Sequence, residues 1–227
     1  MKNEFVQVVK GVEINRMNQV RNYQKELDKI IEQLSAGKET PSLLLHSCCA
    51  PCSSYCLEYL RQYFKITVFY YNPNITEEAE YKKRVAEQAR LISELDTVYP
   101  IQLVEGKYDP QRFYEITKGM EQMDEGGERC FACYRLRLEE AAKLAADGGF
   151  DYVTTTLSIS PMKNAEKLNE IGSEVGEKYG IPWLFSDFKK KNGYKRSVEL
   201  SKEHDLYRQS YCGCGYSKAQ AKREGRI

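Results

Sequence analysis

Five short apolar runs, alternating with longer stretches of helical periodicity, constrain this chain more than anything else in it. The runs are PSLLLHS (41–47), KITVFYYN (65–72), PIQLVEG (100–106), DYVTTT (151–156) and PWLFSD (182–187). Near-continuous apolar strands of this length need cover on both faces. Strands separated by helix-length connections pair in parallel, since a parallel pair needs a crossover of about a dozen residues or more. Helices are expected at about 17–34, 53–64, 77–95, 110–119, 131–146, 164–180 and 195–207, the first ending near Gly37. Thr76 reads as an N-cap ahead of an acidic first turn.

The pattern predicts an α/β fold, a mostly parallel, Rossmann-like sheet flanked by helices on both faces. Residues 1–40 read as an N-terminal helical extension and residues 41–227 as the α/β catalytic domain. In open sheets of this kind, sites form outside the carboxyl ends of the strands. Three segments fall there: the cysteine loop after the first strand, SISP after the fourth and SDFKKKNGY after the fifth.

A chain of 227 residues is long enough to bury a real core. Its net charge of +1 gives no overall basic field, although local patches can still attract RNA. The first 20 residues carry no secretory apolar segment, and no run approaches the ~18 apolar residues of a membrane span. The expected location is cytoplasmic, with no membrane partner. Thiols are kept reduced there, so eight cysteines point to metal binding or redox work rather than stapling.

Seven of them fall in three groups: Cys48, Cys49 and Cys52 in SCCAPCS, Cys130 and Cys133 in ERCFACY, and Cys212 and Cys214 in YCGCGY. The eighth, Cys56, reads as a small core residue of the first domain helix. For the first two groups three readings stand: buried thiols, a structural zinc, or an iron–sulfur cluster held by four thiolates. Spacing alone favours Cys49 with Cys52, because cysteines three apart at a helix start face one metal and the helix dipole favours thiolates. Gly126 and Gly127 allow backbone to pass close to a bulky group. Cys212 and Cys214 are two residues apart, at most about 7 Å by chain reach. A disulfide between them would be tight, and tight disulfides are the labile, redox-active ones. The alternative is a pair of zinc ligands.

LHSCCAPCS, FYYNPNI, GERCFACYRLRL, TTTLSISPMKN and DFKKKNGYKRSVELSKEHDLYRQSYCGCGYS, in that order from about residue 43 to 217, resemble the QueH family of epoxyqueuosine reductases. The resemblance implies the last step of queuosine biosynthesis, in which epoxyqueuosine at the wobble position of tRNA loses its epoxide oxygen, without cobalamin. It implies a [4Fe–4S] cluster on Cys48, Cys49, Cys130 and Cys133 and a redox-active Cys212/Cys214 pair. It therefore replaces Cys52 with Cys48 among the expected ligands. The partners implied are tRNA and an electron donor that the sequence does not identify.

Cys52 and Asp109 are further candidates, Cys52 for an additional iron and Asp109, in the turn after the third strand, for an oxygen ligand or a proton. His46 reads as a structural histidine and His204 as an exposed helix residue. The basic stretches 189–196 and 217–226, interleaved with Tyr194 and Tyr216, offer phosphate contacts and stacking, and the hydroxyls of TTTLSIS could bind the modified base or a phosphate. Two other functions compete. An ATP-dependent tRNA thiolase-like enzyme would want a glycine-rich phosphate loop after the first strand, and SCCAPCS has no glycine. A zinc-stabilised RNA-binding module would need only the cysteines.

Overall fold

In a computed structural model, which describes residues 21–37 and 39–227, four parallel strands form one sheet. β1 (Ser42–His46) pairs with β2 (Lys65–Tyr70) on one side and β4 (Tyr152–Thr155) on the other, and β3 (Gln102–Glu105) lies beyond β2. The order β3-β2-β1-β4 means that the chain winds outward through β2 and β3, then returns past β1. Strand direction of winding reverses at β1/β4, and that is where an open parallel sheet leaves a crevice.

Period-2 alternation sorts the strand residues onto two faces. Leu43, Leu45, Ile66 and Val68 share one core with Leu27 and Ile31 of α1 (Tyr23–Ala36), Leu57 and Leu60 of α2 (Ala50–Leu60) and Leu91 of α3 (Glu78–Glu94). Leu44, Phe69 and Val153 share the other with Leu138 and Ala142 of α5 (Glu128–Asp147) and Leu168 and Val175 of α6 (Ala165–Tyr179). Each such leucine, fully buried, contributes about 1.5–3 kcal/mol. α6 approaches closely because Gly172 has no Cβ, which would lie 2.1 Å from the Trp183 ring. α4 (Pro110–Ile116), α5 and α8 (Gly215–Arg223) meet around a small third core of Phe113, Cys133 and Cys214. α7 (Gly193–Glu203) lies along α2.

Several expectations are corrected. The fifth strand is a single bridge between Val153 and Trp183. Pro182 has no N–H to give, and Asn169 of α6 takes both the Ser186 N–H and the Trp183 indole N–H, so a side chain replaces the ladder. The N-cap of α3 is Glu77, not Thr76; the Thr76 N–H donates to the Gly213 carbonyl instead. α2 starts at Ala50, ahead of the expected 53. α8 was not expected at all. His204 is the C-cap of α7, half-buried, with Nδ1 2.8 Å from Glu94 Oε2, rather than an exposed helical residue. Of the expected helix at 17–34, residues 17–20 lie outside the described ones.

Candidate metal and redox site

Each thiol group stands at or near the first turn of a helix. Cys49 is the N-cap of α2 and Cys52 its third residue, Cys130 is the third residue of α5, and Cys214 is the N-cap of α8. Amide N–H groups and the helix dipole there favour negative sulfur. The Gly126 N–H donates to Cys130 Sγ at 3.2 Å, from a backbone with φ +97° that suits glycine. Gly213, at φ +115°, also has no room for a Cβ, which would meet Ile75 at 2.9 Å. That close approach seats the Cys212–Cys214 turn against Ile75, in the loop after β2, and Arg84 of α3.

The three sulfurs of Cys48, Cys49 and Cys52 lie within 4.8 Å of one another, with Cys48 and Cys49 3.8 Å apart. Three converging thiols of this kind can hold a metal. Hydrogen bonds from Cys48 and Cys52 hold the Cys49 thiol well below its ordinary range; Gln209 and Arg84 act in the same direction, against burial. The same bonds push Cys52 well up, so the trio gives up its first proton at Cys49. Thr156, just beyond β4, accepts from the Cys48 N–H at 3.3 Å and donates to its Sγ at 3.5 Å.

These thiols line a cavity of about 300 Å³ at the carboxyl ends of β1, β2 and β4. Cys212 lines it too. A second, smaller cavity of about 20 Å³ is walled by Cys130, Cys133, Cys212 and Cys214. Burial pushes Cys133 up to about 11 and Cys214 up to about 12. Cys212, Arg137 and Lys163 line both cavities. Cys52 joins the vicinal pair, while Cys130 and Cys133 face the Cys212–Cys214 turn. Cys56 is fully buried in the core, as expected.

The cations were missed. Arg137 is 1 % exposed, bonded to Asn72 Oδ1 and with its Nε 3.3 Å from His46 Nε2, with no carboxylate partner among the described residues. Its charge faces Cys133, Cys48 and Cys212. The Lys163 ammonium, 3.5 Å from Cys212 Sγ, also lacks a carboxylate partner among them; burial works against its charge, but Cys212, Tyr134 and Cys48 outweigh it and hold its pKa well up. Arg84 is buried beside Glu80 and donates to the Cys212 carbonyl at 3.1 Å. Buried cations without carboxylates are costly unless anions lie close, and the groups that face Arg137 and Lys163 here are cysteine sulfurs. Two signals were present in the sequence. Cys130, Cys133 and Arg137 fall at i, i+3 and i+7 on one helix face, and Arg84 and Gln88 sit on the stripe set by Tyr81 and Leu91.

His46 is fully buried between Thr155 Oγ1 (2.8 Å) and the Tyr71 carbonyl (3.1 Å). Burial first, then Arg137, lowers it to about 3, so it is a neutral structural group, as expected. Asp109 occupies the N-cap position of α4 without a capping bond, pairs with Lys107 at 3.6 Å and is not among the residues lining either cavity. In the 189–191 run, Lys189 pairs with Asp187 and Lys191 with Asp28. Thr155 and Ser158 of TTTLSIS are buried and hydrogen-bonded within the protein.

A family model described as epoxyqueuosine reductase QueH matches residues 43–220. Proteins named epoxyqueuosine reductase QueH are similar along most of the chain. One from Staphylococcus epidermidis is 43% identical over 204 residues, 88% of this chain and 86% of its own. One from Streptococcus pyogenes is 42% identical, covering 88% and 79%. A more distant one from Thermotoga maritima is 34% identical, covering 78% and 90%.

Proposed function

The chain belongs to the epoxyqueuosine reductase QueH family and is an oxidoreductase of queuosine biosynthesis; from that premise we propose that it removes the epoxide oxygen of epoxyqueuosine in tRNA with a [4Fe–4S] cluster on Cys48, Cys49, Cys130 and Cys133 and a redox pair at Cys212 and Cys214. Among the described residues no helix is long and apolar enough to cross a membrane.

One observation carries the reading: Arg137 is a buried arginine that faces both cysteine loops and has thiols where carboxylates would be expected. Such a cation suits an anionic group built on thiolates. The Gly126 N–H to Cys130 and the Thr156 hydroxyl to Cys48 supply the hydrogen bonding that such sulfurs favour. Cys52 leaves one thiol beyond the four, which supports an additional iron. When bound, an iron–sulfur cluster supplies low-potential electron transfer, and an iron with an open position supplies a Lewis acid.

The chain's own residues supply the rest. The substrate loses both carbon–oxygen bonds to one oxygen, gains a carbon–carbon double bond and takes up two electrons and two protons, the oxygen leaving as water. Closing a disulfide between Cys212 and Cys214 releases two electrons and two protons, so the two halves balance, and an external donor must reopen it. Cys212 faces the main cavity and Cys214 the protein interior, so Cys212 is the sulfur placed to exchange with an incoming reductant. Lys163 sets a positive charge beside it and, from the same position, can donate a proton into the cavity. Arg84 fixes the Cys212 carbonyl and so the turn.

Anaerobic incubation of protein, reductant and epoxyqueuosine-containing tRNA, followed by mass analysis of the nucleosides, tests the reaction. Loss of one oxygen to give queuosine is expected, with iron and sulfide in the protein. A colourless zinc protein that leaves epoxyqueuosine intact would refute it.

A further inference from the structure

Five cations line the main cavity, namely Arg84, Arg137, Lys163, Arg208 and Arg226, of which Arg84 pairs with Glu80 and Arg226 with Glu224; the one carboxylate on the lining is Glu125. Its volume of about 300 Å³ is at the small end of ligand sites, enough for one nucleoside. On the functional reading above, that nucleoside belongs to an RNA strand, so its neighbours must remain on the rim while it reacts.

The rim is apolar where it need not be. Met162 is 67% exposed and Tyr194 40% exposed, both lining this cavity. They come from different elements. Met162 lies in the turn after β4, where its N–H donates to Ser160 Oγ at 3.3 Å. Tyr194 is the second residue of α7 and follows Gly193, which sits close against the core: its Cβ would fall 1.9 Å from the Phe188 carbonyl and 2.4 Å from the Tyr55 ring. Arg208, exposed at the same cavity, donates to Ser201 Oγ at 3.0 Å and has no carboxylate partner among the described residues.

We propose that Tyr194 and Met162 are the platforms on which the nucleotides flanking the modified one stack, with Arg208 neutralising an adjacent phosphate. The occupant is a single-stranded RNA loop. Such loops are read by splayed-out bases stacking on exposed side chains while cations follow the backbone. The inference moves the main RNA contact away from the 189–191 run, where Lys189 and Lys191 already hold carboxylates.

The test uses the iron-loaded full chain and an anticodon stem-loop RNA carrying epoxyqueuosine, with affinity measured by fluorescence anisotropy across a salt series. Tyr194→Ala should weaken binding by about 5- to 100-fold, with Tyr194→Phe close to wild type and iron content unchanged. Met162→Ala should weaken it less. Arg208→Gln should reduce the salt slope by about one, whereas Lys189→Gln should leave it alone. Wild-type affinity in Tyr194→Ala and Met162→Ala would overturn the proposal. Affinity reads the platforms independently of turnover, so failure of the wild type to convert the bound RNA would count against the reaction and leave this result standing.

Discussion

Cys49 and Cys214 occupy the same local position and hold their protons oppositely. Each is the N-cap of a short helix with extended backbone, but only Cys214 accepts a first-turn N–H; the Cys49 side chain makes no capping bond. Cys49 is held well below the ordinary thiol range, while Cys214 is pushed up to about 12 although it accepts the Ser217 N–H at 3.3 Å. A helix N-terminus contributes roughly 0.3–1 kcal/mol to a nearby anion, less than one pKa unit, whereas burial moves a group by up to about 3–5 units. The neighbours therefore decide. Cys49 has two thiol donors, Gln209 and Arg84. Cys214 has Phe113, Cys133 and Tyr216. One position is built for an anion that persists, the other for a neutral thiol that gives up its proton when it forms a bond.

Removing the charge that faces both loops is the strongest way to break this contrast. Arg137→Met should lower iron retention and turnover by about 10- to 100-fold, the usual range for a residue that supports metal ligands from behind. Full iron in a folded Arg137→Met protein, measured by metal analysis with circular dichroism as the control, would detach the buried cation from the thiols.

Lys163 tests the other half. Lys163→Met removes a charged hydrogen bond to Cys212, a contact of about 1.5–3 kcal/mol, and should slow steady-state turnover about 10-fold or more with iron unchanged. Lys163→Arg, which keeps the charge, should recover part of it. Equal rates in wild type and Lys163→Met would remove this residue from the reaction.

A smaller effect appears in stability. Cys214 keeps its proton up to about pH 12 in the folded protein and loses it near 9 when unfolded. Its contribution is complete below pH 9 and declines as pH rises toward 12, by up to about 1.4 kcal/mol per pH unit. In reduced, metal-free protein, urea unfolding from pH 8.5 to 10.5 should show this decline, and Cys214→Ala should flatten it. Identical slopes would place Cys214 outside the apolar pocket described above.

The sheet was legible because its signals are local: Leu43–Leu45, Ile66–Phe69 and Val153 carry their own periodicity, and helix-length spacers force parallel pairing. What escaped depends on distant partners. PWLFSD has the composition of a strand, but Asn169 captures its backbone. Thr76 has the chemistry of an N-cap, but Gly213, far along the chain, takes its N–H. The cysteines were legible as chemistry, and spacing put Cys49 with Cys52; that Cys130 and Cys133 face Cys212 and Cys214 was not legible. The placement of Cys130 and Cys133 beside Cys212 and Cys214 follows from where α5 and the C-terminal turn dock, whereas Cys52 reaches Cys48 and Cys49 through the local first turn of α2. The basic run at 189–191 looked like an RNA surface because its acidic partners, Asp28 and Asp187, lie elsewhere in the fold or on the near side of a turn.

Iron and sulfide counting on Cys49→Ala and Cys214→Ser, purified side by side without oxygen, tests the central claim most directly. Cys49→Ala should lose most of its iron, while Cys214→Ser should keep the wild-type content and the tRNA affinity yet fail to turn over with a thiol-dependent donor. Iron lost from Cys214→Ser, or retained in full by Cys49→Ala, would contradict the division of the cysteines into ligands and redox pair.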